Sequence, residues 1–168
     1  DASAATTTCR QQGADLDATR FNRCEGIVRD DQGLIWFVAS TAGPQGAGQL
    51  WRLDPRTDEL RLVHHVTDAS ELSMPDNIVM APWGDLILAE DNYYPTDTVR
   101  MQHLRGLRPD GTLYDLLRNE DAIQADGTMG GEFAGPCWSP DGTVLFVNLQ
   151  FPLALTIAIT GPWDQLHS

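Results

Sequence analysis

Residues 24–40, CEGIVRDDQGLIWFVAS, contain the pattern that decides the fold. A short apolar segment leads into RDDQG, and a second, more apolar segment ends in a polar residue. RDDQG is typical of a turn, because Asp side chains bond to nearby backbone groups and Gly33 tolerates a positive φ angle. Residues 34–38 form an apolar run of the kind found in strands. The stretch therefore predicts a strand, a tight turn and a second strand.

The same layout recurs twice further along the chain, in residues 75–91, PDNIVMAPWGDLILAED, and residues 133–149, FAGPCWSPDGTVLFVNL. The turn glycines Gly33, Gly84 and Gly142 are separated by 51 and 58 residues. Further strand patterns lie between the hairpins and after the last one, in residues 48–66, 101–117 and 153–160. Four antiparallel strands repeated every ~40 to 50 residues are typical of a β-propeller blade.

The sequence thus predicts an all-β protein, a β-propeller of which about three four-stranded blades are present. The blades are expected at residues 20–70, 71–122 and 130–163, within a partial propeller over residues 20–168. Residues 1–19 are small and polar, and we interpret them as a linker or a loop insertion. Known propellers close with roughly four to eight blades, so three blades need a partner, either a missing N-terminal half or another copy. A β-sandwich is the structural alternative.

The charge of the chain is strongly acidic, with 24 Asp and Glu against 11 basic residues, all of them Arg. This balance argues against a nucleic-acid-binding surface. Excess carboxylates form either a solvated surface or a supply of oxygen ligands for Ca²⁺. No apolar run approaches the ~18 to 20 residues of a membrane span, and no membrane partner is expected.

The three cysteines, Cys9, Cys24 and Cys137, form no C-x-x-C motif, so a zinc ribbon or a thioredoxin-like site has no support. The chain begins with Asp and shows no signal peptide. We interpret it as processed or cut from a longer protein.

Three polar side chains stand at or just before the first strand of each repeat. They are Glu25, Asn77 and Glu132, spaced by 52 and 55 residues in step with the blades. In a propeller these positions face one axis, and three converging oxygen donors suit Ca²⁺. Asp76 adds a carboxylate or forms a turn after Pro75, and Glu90 ends the second strand of the middle hairpin, where the alternative is an ordinary strand end.

Arg23 lies two residues before Glu25, so in an extended strand both side chains project to the same side. One interpretation is a simple ion pair. The other is an arginine fork for an anionic group beside a metal-bound carboxylate.

The motifs of the chain resemble the PhoX family of bacterial alkaline phosphatases. The resemblance rests on RCEGIV, GQLWRLDP, MPDNIVMAPWGDLILAED and above all GGEFAGPCWSPDGTVLFVNLQFP followed by TIAITGPW. It runs from about Arg20 to Trp163 and matches the C-terminal portion of those proteins. It implies a six-bladed propeller, hydrolysis of small-molecule phosphomonoesters, calcium and iron (Ca²⁺ and Fe³⁺) at the channel mouth, and export by the twin-arginine route to the periplasm or beyond.

By position, the resemblance implies that Glu25 is a metal ligand, Arg23 a phosphate contact and Glu132 a further acid of the metal site; Asp76, Asn77 and Glu90 match family motifs. The chain departs from the family where Cys24 replaces an expected threonine and where residues 148–159, NLQFPLALTIAI, lack a glycine after the proline. The N-terminal half with the iron-bridging cysteine is also missing.

The sequence is also compatible with two other functions. One is a calcium-dependent lactonase-like propeller, since the segments EGIV, GQLWRLDP and PDNI are similar to sequence patterns of such propellers. The other is a non-catalytic propeller that binds a partner at its rim. The closing motif favours a phosphatase that is active when the full propeller is present.

Overall fold

A computed structural model describes residues 7–91, 102–119, 131–150 and 154–167 of the chain. These residues form eleven strands, one short helix and a closing 3₁₀ turn at Trp163–His167. The helix α1 covers Cys9–Asp15. The strands are β1 Cys24–Arg29, β2 Ile35–Ala39, β3 Gln49–Asp54, β4 Glu59–His65, β5 Pro75–Met80, β6 Leu86–Glu90, β7 Gln102–Leu107, β8 Leu113–Asn119, β9 Phe133–Trp138, β10 Val144–Leu149 and β11 Leu155–Thr160.

The strands form three antiparallel sheets in simple up-and-down order. The first sheet is β1-β2-β3-β4, the second is β5-β6-β7-β8 and the third is β9-β10-β11. The predicted all-β class is confirmed. The third sheet has three strands in the described residues, one fewer than a four-stranded blade, because only one strand follows its hairpin there.

The three repeated hairpins have the tight turns that their glycines predict. Gly33, Gly84 and Gly142 adopt φ angles of 87°, 94° and 71°, which residues with a Cβ rarely adopt. In each turn the glycine N–H donates to the carbonyl three residues earlier, on Asp30, Ala81 and Ser139.

The sheets lie side by side through their first strands, like consecutive blades. Strand β1 contacts β5, and β5 contacts β9, whereas β4, β8 and β11 lie on the far sides of their sheets. We call β1, β5 and β9 the inner strands.

The hydrophobic core consists of two layers, one on each side of the second sheet. Leu88 packs with Val38 and Leu50 of the first sheet, and its neighbour Ile87 packs with Leu145 and Val147 of the third. Successive side chains of a strand point to opposite faces, so β6 is buried on both. Each fully buried aliphatic side chain contributes about 1.5–3 kcal/mol, which holds the three sheets in fixed relation.

The N-terminal segment, expected to be a linker or a loop, contains α1. Thr8 caps this helix by accepting a hydrogen bond from Gln11 N–H at 3.2 Å. The segment that follows is anchored to the first sheet by Phe21, whose ring makes edge contacts with Phe37 and Trp51 at centroid distances of 5.1 and 5.3 Å. Among the described residues, no helix has both the length and the apolar character needed to span a membrane.

Candidate functional site

Each inner strand breaks its register with the neighbouring strand at a corresponding point. Two residues of the inner strand lie there opposite one residue of its partner. The three pairs are Glu25–Gly26 in β1, Asp76–Asn77 in β5 and Gly135–Pro136 in β9. Such bulges increase local twist and re-aim side chains, and they are frequent beside functional sites.

The bulges of neighbouring sheets touch one another. A Cβ atom on Gly26 would lie 2.5 Å from the carbonyl oxygen of Asp76 and 2.8 Å from the nitrogen of Ile78, so only glycine permits this approach. Asn77 Oδ1 accepts a hydrogen bond from Gly135 N–H at 2.5 Å. The three inner strands are therefore joined at the level of their bulges.

Four carboxylates from the three sheets interact at this level: Glu25, Asp76, Asp91 and Glu132. Glu25 and Asp76 lie in bulges, Asp91 directly follows β6 and Glu132 directly precedes β9. We call these four residues, with Arg23, the carboxylate cluster.

Asp76 carries the clearest sign of an unbalanced charge. Its pKa is raised from 3.8 to about 6, chiefly because burial disfavours the charged form and then because Glu25 and Asp91 repel it, while Arg23 opposes the shift. Its Oδ1 atom is buried without a hydrogen-bond partner. A buried unpartnered carboxylate oxygen is costly unless a proton or a cation accompanies it.

Glu132 shows the same effect. Its pKa is raised from 4.5 to about 7, chiefly because burial disfavours the charged form and then because Asp91 and Asp76 lie nearby, while Arg23 opposes the shift. The backbone N–H of Gln150 donates to the carbonyl oxygen of Glu132 at 3.0 Å. With its amide nitrogen toward Glu132, the Gln150 side chain also donates to both carboxylate oxygens, at 3.2 and 3.3 Å. Gln150 belongs to none of the repeated sequence patterns that predicted the other site residues.

Arg23 supplies the positive charge of the cluster. Its Nη2 atom lies 3.2 Å from Glu25 Oε1 and 3.9 Å from Asp91 Oδ2. The structure thus brings Arg23 and Glu25 together as predicted, although Arg23 precedes β1 and does not share the extended strand that was expected. Arg23 has a φ angle of 51°, unusual for a side-chain-bearing residue, and its carbonyl accepts a hydrogen bond from Ser40 N–H at 2.8 Å. Its side chain is 49% exposed, which leaves guanidinium edges accessible to a ligand.

Glu90 has different surroundings. Its side chain is 1% exposed and accepts hydrogen bonds from Ser73 N–H, His103 N–H and Arg105 Nε at 3.0–3.1 Å. The structure therefore places Glu90 in a buried ion pair with Arg105, and both of its carboxylate oxygens accept hydrogen bonds from the protein.

Asp91 takes the place in the cluster that sequence analysis gave to Glu90. Its side chain is 16% exposed, and its N–H donates to the carbonyl of Met74 at 3.0 Å. Adjacent residues at a strand end face opposite sides. Of Glu90 and Asp91, one therefore points toward the carboxylate cluster and the other points away from it. The sequence alone does not show which residue takes which direction.

The donor set suits a hard cation. Carboxylate oxygens are among the ligands that Ca²⁺ prefers. The orphaned Asp76 oxygen and the raised pKa of two carboxyls show that the cluster lacks compensating positive charge. Across residues 7–91, 102–119, 131–150 and 154–167, no three His, Cys, Asp or Glu side chains are already arranged closely enough to hold a metal ion.

The cysteines do not form disulfides. Cys9, Cys24 and Cys137 are all free and exposed. Cys24 stands between Arg23 and Glu25, and the pKa of its thiol is raised by burial and by the Glu25 carboxylate.

The sequence profile described as alkaline phosphatase PhoX matches residues 1–152 of the chain. This match covers most of the chain, including Arg23, the four carboxylates and Gln150. The chain belongs to the PhoX family of alkaline phosphatases. The resemblance seen in the motifs is thereby confirmed. The match includes residues 1–19 and stops before the closing residues 156–163, TIAITGPW.

Solved structures with a similar fold include proteins described as sugar lactonases. A protein of Bacteroides uniformis described as a 6-phosphogluconolactonase superimposes with a TM-score of 0.52 and 20% identity, over 82% of this chain and 39% of that one. A protein described as a gluconolactonase has a TM-score of 0.47 and 16% identity, over 85% of this chain and 64% of that one. The chain therefore spans less than two thirds of either protein, and the first likeness supports a propeller-like fold. No sequence among the curated proteins matches this chain.

Proposed function

We propose that this PhoX-family chain forms part of a metal-dependent phosphatase that hydrolyses small-molecule phosphomonoesters at the carboxylate cluster. The observation that carries the proposal is the placement of the Arg23–Glu25 pair against Asp76, Asp91 and Glu132, which come from neighbouring sheets. Anionic substrate binding needs the arginine, and cation binding needs the carboxylates.

In this proposal, Glu25, Asp76, Asp91 and Glu132 hold calcium through carboxylate oxygens, and Asn77 fixes the spacing of two inner strands through its contact with Gly135. Bound calcium, and the iron that the family resemblance implies, would supply positive charge that polarises the phosphoryl oxygens. The described residues of the cluster fit calcium, because they offer only oxygen donors to a hard cation.

Arg23 is proposed to bind the phosphoryl group. Only its Nη2 atom is engaged by Glu25, so the remaining guanidinium N–H groups can donate to phosphoryl oxygens. The positive charge of Arg23 then offsets the negative charge that develops on the transferring group. Gln150 holds the Glu132 carboxylate in orientation from the other side.

We further propose that the three sheets are consecutive blades of a closed six-bladed propeller, completed by the rest of the protein or by another copy. The inner strands β1, β5 and β9 would then line the channel, with the cluster at its mouth. Large apolar side chains on the outlying strands β4 and β11, such as Leu62 and Leu155, are 40% and 45% exposed. By family resemblance, we propose that the protein acts after export, in the periplasm or outside the cell.

The test is turnover of a nitrophenyl phosphomonoester and of a gluconolactone by the full-length protein, with and without added calcium and iron. We expect calcium-dependent hydrolysis of the ester only. Glu25→Gln should lower this activity about 10- to 100-fold, as changes at metal ligands or their supports do. Glu59→Gln, which removes an exposed carboxylate paired with Arg61, is the matched control and should retain full activity.

Hydrolysis of the lactone alone would replace this proposal with the lactonase alternative. Equal activity of Glu25→Gln and Glu59→Gln would show that the carboxylate cluster takes no part in the reaction.

A further inference from the structure

A cleft of about 690 Å³ lies between α1 and the segment that leads into β1. One wall is α1, and the other is residues 18–24, which end at Cys24, the residue between Arg23 and Glu25. The cleft therefore reaches the chain neighbour of Arg23, the residue proposed to bind phosphate.

The charge of this cleft is opposite to that of the chain. The chain carries a net charge of −13, yet the described lining of the cleft contains two arginines, Arg10 and Arg20, and no Asp or Glu. Within the part of the chain that the structure describes, neither arginine forms a side-chain hydrogen bond or ion pair, in contrast with Arg23, Arg56 and Arg61, which are paired with carboxylates. Unpaired guanidinium groups on an acidic protein are available for an anion.

The remaining lining mixes polar and apolar residues and is partly fixed. Phe21 anchors the β1-side wall to the first sheet through its edge contacts with Phe37 and Trp51. Asn22 Nδ2 donates a hydrogen bond to the carbonyl of Thr41 at 3.0 Å, which ties this side chain to the first sheet's neighbouring loop. The helix wall is tied to this segment by the hydrogen bond from Ala18 N–H to the carbonyl of Gly13 at 2.9 Å.

We propose that this cleft binds the leaving-group side of the substrate and selects phosphomonoesters whose leaving group carries a second anionic group. Arg10 and Arg20 are the specificity-determining residues, while Arg23 binds the phosphoryl group itself. This inference rests on the proposed phosphatase function. A carboxylate or a second phosphate fits, because a guanidinium binds either in a bidentate manner.

The test compares two esters of similar size, phosphoglycolate, whose leaving group bears a carboxylate, and ethyl phosphate, whose leaving group is neutral. In the full-length protein, the double variant Arg10→Gln/Arg20→Gln should lower kcat/KM for phosphoglycolate about tenfold, mainly through a higher KM, because exposed ion pairs contribute modestly to binding. Its kcat/KM for ethyl phosphate should stay within about twofold of the parent value.

The control variant is Arg56→Gln/Arg61→Gln, which removes the same net charge from exposed sites on the first sheet. It should leave the preference for phosphoglycolate over ethyl phosphate unchanged. An equal loss in both double variants would mean that the effect is one of net charge, and it would overturn the proposal. An unchanged preference in Arg10→Gln/Arg20→Gln would also overturn it.

Calorimetric titration with phosphoglycolate separates this inference from the proposed function. If neither ester is hydrolysed but phosphoglycolate binds and loses affinity in Arg10→Gln/Arg20→Gln, the cleft binds anions and the phosphatase proposal fails. If both esters are hydrolysed and binding of phosphoglycolate is the same in parent and variant, the phosphatase proposal stands and the cleft proposal fails.

Discussion

Arg105 donates a hydrogen bond from Nε to Oε1 of Glu90 at 3.1 Å, and both side chains are buried within the second sheet. Arg105 also pairs with Asp115 and donates to the carbonyl of Ser70 at 3.2 Å. Glu90 thus neutralises a buried guanidinium. This relationship assigns Glu90 to the stability of the sheet and leaves the next residue, Asp91, to the carboxylate cluster.

Replacing Glu90 should therefore destabilise the fold. Glu90→Gln leaves Arg105 without its buried carboxylate and should lower the free energy of unfolding by about 3 kcal/mol, as breaking a buried ion pair does. Urea unfolding measures this change. Glu59→Gln breaks the exposed pair with Arg61 and should cost less than about 1 kcal/mol. Similar small losses in both variants would contradict the assignment of Glu90.

Replacing Asp91 should instead weaken cation binding. Asp91→Asn removes a carboxylate that interacts with Arg23 and Glu132, and should lower calcium affinity about tenfold while leaving the urea midpoint nearly unchanged. Calorimetric titration with calcium is the measurement. Asp31→Asn, at an exposed turn, serves as the control with the same change of charge. Unchanged affinity in Asp91→Asn would exclude this residue from the cation site.

The contrast between Glu90 and Asp91 shows how far the sequence leads. The repeat predicted the hairpins, their turn glycines and the placement of Glu25, Asp76 and Glu132 at the starts of inner strands. It could not predict which of two adjacent acids faces the cluster, because that depends on register across β6 and on the bulge opposite. The bulges have no residue signature of their own, since one contains Gly26, another Asn77 and the third Pro136.

The same limit applies outside the cluster. Residues 1–19 show no hydrophobic period, so α1, which buries none of its residues, left no signal beyond a capping threonine. The charge of the cleft was equally hidden, because Arg10 and Arg20 are ten residues apart in sequence and line one cleft only in the folded chain.

Stability should fall as the pH rises, when no divalent cation is present. Asp76 and Glu132 have pKa values raised from 3.8 to about 6 and from 4.5 to about 7. An acid whose pKa is higher in the folded chain stabilises the fold while it is protonated, so this contribution is present below pH 4 and is lost by about pH 8. Urea unfolding in a chelator, repeated across this range, should show a decreasing free energy of unfolding.

Two variants identify the source of this pH dependence. Asp76→Asn should make the free energy of unfolding depend less steeply on pH between about pH 4 and pH 6, because it removes the titrating group. Arg56 lowers the pKa of Asp54 to about 2, so the contribution of Asp54 to stability is lost only below pH 4. Asp54→Asn should therefore leave the pH dependence of the free energy of unfolding unchanged above pH 4. A free energy of unfolding that rises through this range in the parent chain would show that the cluster carries no unbalanced carboxylates.

The close approach of β1 to β5 gives the final prediction. In Gly26→Ala the new methyl group would meet the Asp76 carbonyl and the Ile78 nitrogen at 2.5 and 2.8 Å, and both are backbone atoms that cannot rotate away. The two inner strands must then separate, which moves Glu25 from Asp76. We expect a loss of about 2–3 kcal/mol in the free energy of unfolding, as for overpacking, together with weaker calcium binding. Gly13→Ala is the control: its methyl group would meet Ala18 at 3.7 Å, an ordinary contact, and alanine favours the helix. If Gly26→Ala bound calcium as tightly as Gly13→Ala, the contact between the bulges would not be what assembles the site.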